Sequence, residues 1–361
     1  MHPPADRSPP ASARRRALFA LTTDFASLLG HPVERLSTSS LEVKSLDRTG
    51  LSAARTLRRL LAGSRGFDAV VVDGSTGLRG GYIDLVAASI LSHRRDGPVV
   101  VVADATWKRR TIVDRMLGGL AVRFLDGPRV VFVVHSTEET RLFPKTWGVN
   151  PSRVRFVAWS HILRPDELAA PPGARSGVFA GGDSLRDYDP LIAAAGGLRD
   201  PVTIATRLRS VGRRRRLPPN LTIGPVPDGR FTDLMRRASV VVVPVRAGIE
   251  RSAGQTVFLN AMALGTPVIA TDSFVARDYI SDHQTGVIVP PGDATALRAA
   301  VDWILNPANK ARVEAMAERA REVVTSTFTP RGYLEGLIGV IGEALVGGSA
   351  PPSGLRTDEH E

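Results

Sequence analysis

The sequence predicts an α/β protein built from two parallel-sheet modules, and three observations predict it. Short β-branched runs, SVVVVPV at 239–245 and PVVVVA at 98–103, read as strands buried on both faces. Such runs alternate with helix-sized segments, the order that gives a parallel sheet with right-handed crossovers. A segment with three prolines, HILRPDELAAPPGARS at 161–176, separates two halves of similar size.

In chain order, residues 16–21 and 33–37 predict the first two strands, and 51–62 a helix. That helix sets Arg55, Arg58 and Arg59 opposite Leu57, Leu60 and Leu61. Strands are expected at 67–72, 98–103, 129–134 and 154–158, with a glycine-bearing loop at 74–81 and helices at 82–92 and 107–125. Beyond the proline-rich break, strands are expected at 177–180, 201–205, 220–224, 239–245, 267–271 and 286–289. Helices at 191–195, 230–238, 256–264, 274–281 and 294–305 fall between or after them; the last carries Leu297, Val301 and Leu305 at spacing four. A charged helix at 310–327 and an apolar one at 330–345 finish the ordered chain. The expected division is a first domain at 14–160, a linker at 161–176, a second domain at 177–330 and a closing helix at 331–346. Residues 1–13 and 347–361 have the composition of disordered tails.

The totals narrow the function. The 361 residues hold no cysteine, so disulfide frameworks and cysteine zinc sites are excluded. A net charge of +11 suits an anionic partner, whether nucleic acid, lipid surface or phosphorylated substrate. Aromatic residues make up only 6%, without the basic and aromatic interleaving that stacks single-stranded bases, so no nucleic-acid partner is expected. No apolar run reaches the roughly 18 residues of a membrane span. The basic and apolar stretch near Arg16 is cut short by Asp24, so no signal peptide is read there. A cytoplasmic protein is expected. The basic amphipathic stretch at 107–117 gives it a possible contact with the inner face of a membrane.

The most informative stretch is GIERSAGQTVFLNAMALGTPVIATD at 248–272. It reads as a loop, a helix, a stop at Gly265 with Pro267 behind it, and a strand. A strand, a glycine-containing loop and a helix N-terminus make an anion site, because the first helical N–H groups lack partners. A phosphate-bearing ligand is therefore expected at Gly254, Gln255 and Thr256.

AMALGTPVIATD at 261–272 resembles the donor-binding motif of the retaining GT-B glycosyltransferases called family 4. That family's pattern has one Glu, a glycine-containing loop, and a second Glu eight residues after the first. Here Ser252 and Asn260 stand at those two places, with Glu250 just ahead. The resemblance implies two Rossmann-like domains facing across a cleft, with the last helix crossing back to the first domain. It implies a hexosyltransferase that moves sugar from a nucleoside-diphosphate sugar to a hydroxyl acceptor with retention. The acceptor would be a glycan, a lipid-linked sugar or a natural product, and neither metal nor other cofactor is expected. The altered acidic pair also motivates a second reading, a GT-B binding or scaffold subunit without catalysis.

The site expected from these residues is as follows. Gly182 and Arg186 fall near the family's two diphosphate-binding cations, and an arginine there can fork onto phosphate oxygens as the leaving group gains charge. Arg207, Arg209 and Arg251 are open alternatives for a second cation. The resemblance gives Asn260 the ribose, Glu250 or Ser252 the sugar, and Val226 in GPV at 224–226 the base. In the first domain Asp104 either orients the acceptor hydroxyl or caps the next helix through the Thr106 N–H. His135 is the other candidate there, with a structural role as its alternative. Gly80 and Gly81 suit a close ligand approach, and Arg213 to Arg216 suit a solvated loop.

Overall fold

A computed structural model describes residues 14–74, 83–105, 112–125, 127–171, 173–212 and 216–346. Its first half contains β1 (Arg15–Ala20), α1 (Phe25–Leu29), β2 (Leu41–Ser45), α2 (Ala53–Gly63), β3 (Ala69–Asp73) and α3 (Ile83–Ser92). Next come β4 (Val99–Ala103), α4 (Ile112–Leu125), β5 (Val130–Val134), α5 (Glu139–Trp147) and β6 (Val154–Phe156). The second half opens with α6 (Pro165–Ala169), β7 (Val178–Gly181), α7 (Asp189–Ala195), β8 (Val202–Ala205), β9 (Leu221–Gly224), α8 (Asp228–Arg237) and β10 (Val240–Val243). It closes with α9 (Gln255–Ala263), β11 (Val268–Thr271), α10 (Phe274–Tyr279), β12 (Val287–Val289), α11 (Ala294–Leu305), α12 (Lys310–Thr327) and α13 (Pro330–Leu345).

The strands form two six-stranded sheets, ordered β2-β1-β3-β4-β5-β6 and β12-β11-β10-β7-β8-β9, and every pairing is parallel. The valine-rich β3, β4 and β10 lie in the middle, with both faces covered, as continuous apolar runs require. In each sheet the chain leaves a central strand one way and returns the other, between β1 and β3 and between β7 and β10. Crevices open beyond the carboxyl ends of the strands at such reversals.

One expected strand is displaced. Residues 33–37, expected as β, hold a 3₁₀ turn at Val33–Leu36, and the edge strand is β2 at Leu41–Ser45. Leu41 and Val43 face inward while Glu42 and Lys44 face out, so β2 is a one-sided edge whose apolar signal is only two residues long. Three helices went unread. α1 and α6 have five residues each, and α5 carries Pro144 in its interior. The linker segment at 161–176 is therefore not bare coil.

The end of α9 follows the expected stop. Gly265 takes φ 66°, the Thr266 N–H donates to the Ala261 carbonyl at 2.9 Å and the Gly265 N–H to Met262 at 2.8 Å. This is the paired closure that suits a left-handed residue. The last helix crosses back as expected: Tyr333, Leu334, Leu337, Val340 and Ile341 are buried with Ala17, Phe19, Val71, Val101 and Val133 of the first sheet. Phe25 stacks on Tyr333 at 5.5 Å. Among the described residues, no helix is long and apolar enough to cross a membrane.

Candidate functional site

The reversal between β7 and β10 brings two loops together. After β7 the backbone turns through Gly182 at φ 104° and Leu185 at φ 52°. Gly181 lies flat against Phe231; a Cβ there would come within 2.4 Å of the ring. Arg186 folds back under this turn, donating from Nε to the Gly181 carbonyl at 3.1 Å and from Nη1 to Ser184 at 2.9 Å. It is 4% exposed, and burial lowers the pKa of its guanidinium. The Tyr188 hydroxyl donates to the Gly182 carbonyl at 2.6 Å, and burial pushes that phenol up to about 12. Burial works against the Asp183 carboxylate, but bonds from Thr206 and Arg207 outweigh it and hold its pKa below the ordinary value.

The second loop leads into α9. Gly254 caps that helix at φ 101°, and a Cβ there would press Val243 at 3.1 Å and Val245 at 3.3 Å. Its carbonyl accepts from the N–H groups of Val257 and Phe258, at 3.0 and 3.1 Å. The Gln255 and Thr256 N–H groups precede the first complete helical turn, where no carbonyl lies behind them. Arg251 ties the loops together, donating from Nη2 to Ser184 Oγ at 2.8 Å and from Nη1 to the Ser252 carbonyl at 3.0 Å.

The first domain supplies the opposite wall. Asp104 sits at φ 51°, left-handed for a residue with a side chain, just beyond β4. His135 follows β5 and is 2% exposed. Its Nδ1 pairs with the Val157 carbonyl at 2.9 Å, so the proton on that nitrogen goes to the carbonyl and Nε2 faces Asp104 Oδ1 at 3.4 Å. Nε2 is buried without an aligned hydrogen bond. Burial opposes the imidazolium, but Asp104, Val157 and Glu139 together hold the His135 pKa above its usual value. Glu139, also 2% exposed, accepts from the Ser252 N–H, the Ser252 hydroxyl and the His135 N–H. Burial raises its carboxyl pKa despite those bonds. Further bonds join the halves. Asp278 accepts from Ser136 Oγ, Thr137 N and Thr137 Oγ1 at 2.5, 2.9 and 2.6 Å, and Trp159 Nε1 donates to Thr256 Oγ1 at 3.1 Å.

A cavity of about 310 Å³ opens between these walls. Of the residues singled out from sequence, it brings together Asp104, Gly182, Arg186, Ser252, Gly254, Gln255 and Thr256, together with His135. Among the three open cations Arg251 lines it, whereas Arg207 pairs with Asp183 at 3.3 Å and Arg209 is exposed. Three expected residues stand apart from its lining. Asn260 is 6% exposed and its Oδ1 accepts from the Ile162 N–H at 2.9 Å, fastening the linker to α9. Val226 packs against the second domain's core, and Glu250 is exposed on the loop. Asp278 braces the first domain, and Arg277 beside it binds Asp272 at 2.7 Å. Gly80 and Gly81, the Thr106 cap, the basic residues at 107–110 and Arg213 to Arg215 lie outside the described residues.

Asp104 and Trp159 also line a neck of about 90 Å³, and Leu21, Thr23 and Phe25 continue from that neck into a first-domain cavity of about 520 Å³. The larger cavity lies beyond the carboxyl ends of β1 and β2, and the neck beside it reaches the end of β3 at Asp73. Thr22, Asp24, Asp47, Arg48 and Thr49 are on its wall. Sequence reasoning missed Glu139, Trp159 and Arg48. The only local sign was a His and two Glu after a strand end, HSTEE at 135–139.

Comparison with known proteins points the same way. Residues 221–323 match the family model for "Glycosyl transferases group 1". A phosphatidyl-myo-inositol mannosyltransferase of Mycobacterium leprae is 39% identical over 83 residues, covering 23% of this chain and 21% of that protein. A D-inositol 3-phosphate glycosyltransferase of Acidothermus cellulolyticus is 24% identical over 260 residues, covering 59% of this chain and 53% of that protein. The chain thus spans about a fifth of the first relative and about half of the second. The crystal structure of Anabaena HepE in complex with UDP superposes with TM-score 0.62 at 12% identity, covering 91% of this chain and 100% of that one. The resemblance first read at 261–272 thus extends over residues 221–323 as a glycosyl transferases group 1 match, in a chain with the GT-B fold.

Proposed function

We propose that this protein transfers a sugar from a nucleoside-diphosphate sugar to a hydroxyl acceptor. One observation carries the reading: two arginines and the N-terminus of α9 converge on one cavity at the β7/β10 reversal. The departing diphosphate gains negative charge as the glycosidic bond breaks. Groups already aimed at that charge lower the barrier most, because they need no reorganisation during reaction. In this reading the Gln255 and Thr256 N–H groups meet phosphate oxygens, and Arg186 and Arg251 do the work a metal ion does elsewhere. Gly254 leaves room for the phosphate to approach the backbone. The acceptor enters from the first-domain cavity and presents its hydroxyl near Asp104, at the neck. Retention rests on the motif at 261–272. In the front-face form, the bond from the anomeric carbon to phosphate breaks, the acceptor oxygen bonds on the same face, and its proton passes to the leaving phosphate oxygen.

Thermal denaturation with UDP, GDP and dTDP tests the reading. One of them is expected to raise Tm, since a ligand at a hundredfold excess over Kd adds about 2.7 kcal/mol. Arg186→Ala and Arg251→Ala should each remove most of that rise. Arg186→Ala also lowers the unliganded Tm, because two loop carbonyls lose their donor. No response to any of the three nucleotides, or a full response in both variants, overturns the assignment.

A further inference from the structure

Glu139 opens α5 and is 2% exposed, and it stands outside the lining of the candidate site's cavity. Its two oxygens serve opposite walls of that cavity. Oε1 accepts from the Ser252 N–H of the second domain. Oε2 accepts from the Ser252 hydroxyl and, at 3.1 Å, from the His135 N–H of the first domain. Ser252 and His135 are each 2% exposed as well, so these bonds form out of water. Burying a carboxylate is unfavourable, and apolar pairs hold two domains together at least as well. What a carboxylate adds is geometry. Two backbone N–H groups, which can only donate, are fixed on separate oxygens of one planar group.

Both ends of this bridge lead into the site. The Ser252 carbonyl accepts from Arg251 Nη1 at 3.0 Å, and Arg251 Nη2 reaches Ser184 Oγ at 2.8 Å in the loop after β7. Gly254, which caps α9, lies two residues further on. At the other end, the His135 ring faces Asp104 at 3.4 Å. One side chain thus spaces Arg251 and the start of α9 against the wall made by His135 and Asp104. We propose that Glu139 is a positioning residue, through which the first domain holds the 251–254 loop in the shape that meets the diphosphate. This rests on the donor-site reading and adds to it that the second domain's phosphate site is incomplete without the first domain.

Glu139→Gln tests it. The amide keeps the shape but offers one acceptor oxygen, so one of the two N–H groups is left facing an NH2. Hydrogen exchange over residues 250–256 is expected to speed up by at least about tenfold, with the amides of β10 and β11 unchanged. Affinity for whichever of UDP, GDP and dTDP raises the wild-type Tm, titrated well below the Tm of both proteins, should fall by at least about fivefold. Glu139→Asp is one methylene shorter and cannot span both walls; it should give the same two changes, and it serves where Glu139→Gln does not fold. Asp278→Asn is the control. It weakens a different contact between the halves, at Ser136 and Thr137, so it should lower Tm while nucleotide affinity stays within about twofold. Exchange that does not change in either Glu139 variant overturns the proposal, and so does nucleotide affinity that does not change. An equal loss of affinity in Asp278→Asn also overturns it, because the interface as a whole would then be responsible. If the wild type binds none of the three nucleotides the donor-site reading falls, and the exchange rates, which need no ligand, still decide whether Glu139 holds the loop.

Discussion

The two sheets reverse direction in the same way, yet their crevices carry opposite chemistry. Between β7 and β10 the wall is made of helix-end amides, Arg186 and Arg251. Beyond the ends of β1, β2 and β3 the side chains include hydroxyls and carboxylates, with Asp24 and Asp47 on the large cavity and Asp73 on the neck. Among the described residues, the one arginine lining the large cavity, Arg48, donates from both terminal nitrogens to Asp84, which is 1% exposed and whose pKa burial raises against that pairing. Topology therefore sets where a ligand sits, and loop residues set which charge it carries. One crevice presents cations and helix-end amides, which suits the phosphate of the proposed transfer. The other holds its cation in an internal pair and offers acceptors to hydroxyl groups, which suits the acceptor side of the proposed transfer.

Three experiments sharpen or break this contrast. The largest effect is expected from Arg48→Met. It leaves the Asp84 carboxylate buried without its cation and should cost about 3–5 kcal/mol in denaturant unfolding, while nucleotide still binds the folded fraction. A cost under about 1 kcal/mol would mean that the pair does not organise the first crevice.

The second concerns the join between the halves. His161 is 3% exposed, its N–H donates to the Phe328 carbonyl, and its Nδ1 accepts from the Leu163 N–H at 3.3 Å, which requires the neutral ring. Burial lowers its pKa from 6.5 to about 4. The unfolded chain therefore takes up this proton first as pH falls. The contribution is complete above pH 6.5 and is lost progressively toward pH 4, by roughly 3 kcal/mol if the whole shift acts. Subtracting the pH profile of His161→Gln isolates this slope from that of Glu139, whose raised pKa acts in the opposite sense. Parallel profiles for the two proteins would refute it.

The smallest effect is expected from Glu250→Ala. The exposed loop carboxylate stands apart from the cavity lining, so affinity for the nucleoside-diphosphate sugar should change by less than about twofold. A larger loss would restore the sugar contact that the sequence suggested.

What the sequence disclosed was local chemistry. α9 was readable because Gly254, Gly265 and Pro267 punctuate it within fourteen residues, and α11, α12 and α13 because their apolar periods are long. β2 was not readable, since an edge strand with two inward residues carries too weak an alternation. The same limit explains the site. Gly182, Arg186 and the Gly254 turn belong to loops whose geometry is set nearby. Glu139 meets Ser252 across 113 positions, and Asn260 meets Ile162 across 98. No pattern within one segment announces a partner in the other half. A carboxylate appeared to be missing at Ser252, and the first domain delivers Glu139 to that residue from outside the motif.

The return of α13 has a consequence for how the chain is made. Phe25 and the first sheet are covered by Tyr333, Leu334 and Leu337, residues that leave the ribosome after both sheets have been synthesised. The half that begins first is thus sealed last. Until Pro330 onward emerges, one face of β1, β3 and β4 stays open to water and to chaperones, while the second half already has all its strands. A nascent chain halted near residue 329 should present a finished carboxyl half beside an unfinished amino half, the reverse of the usual order of synthesis.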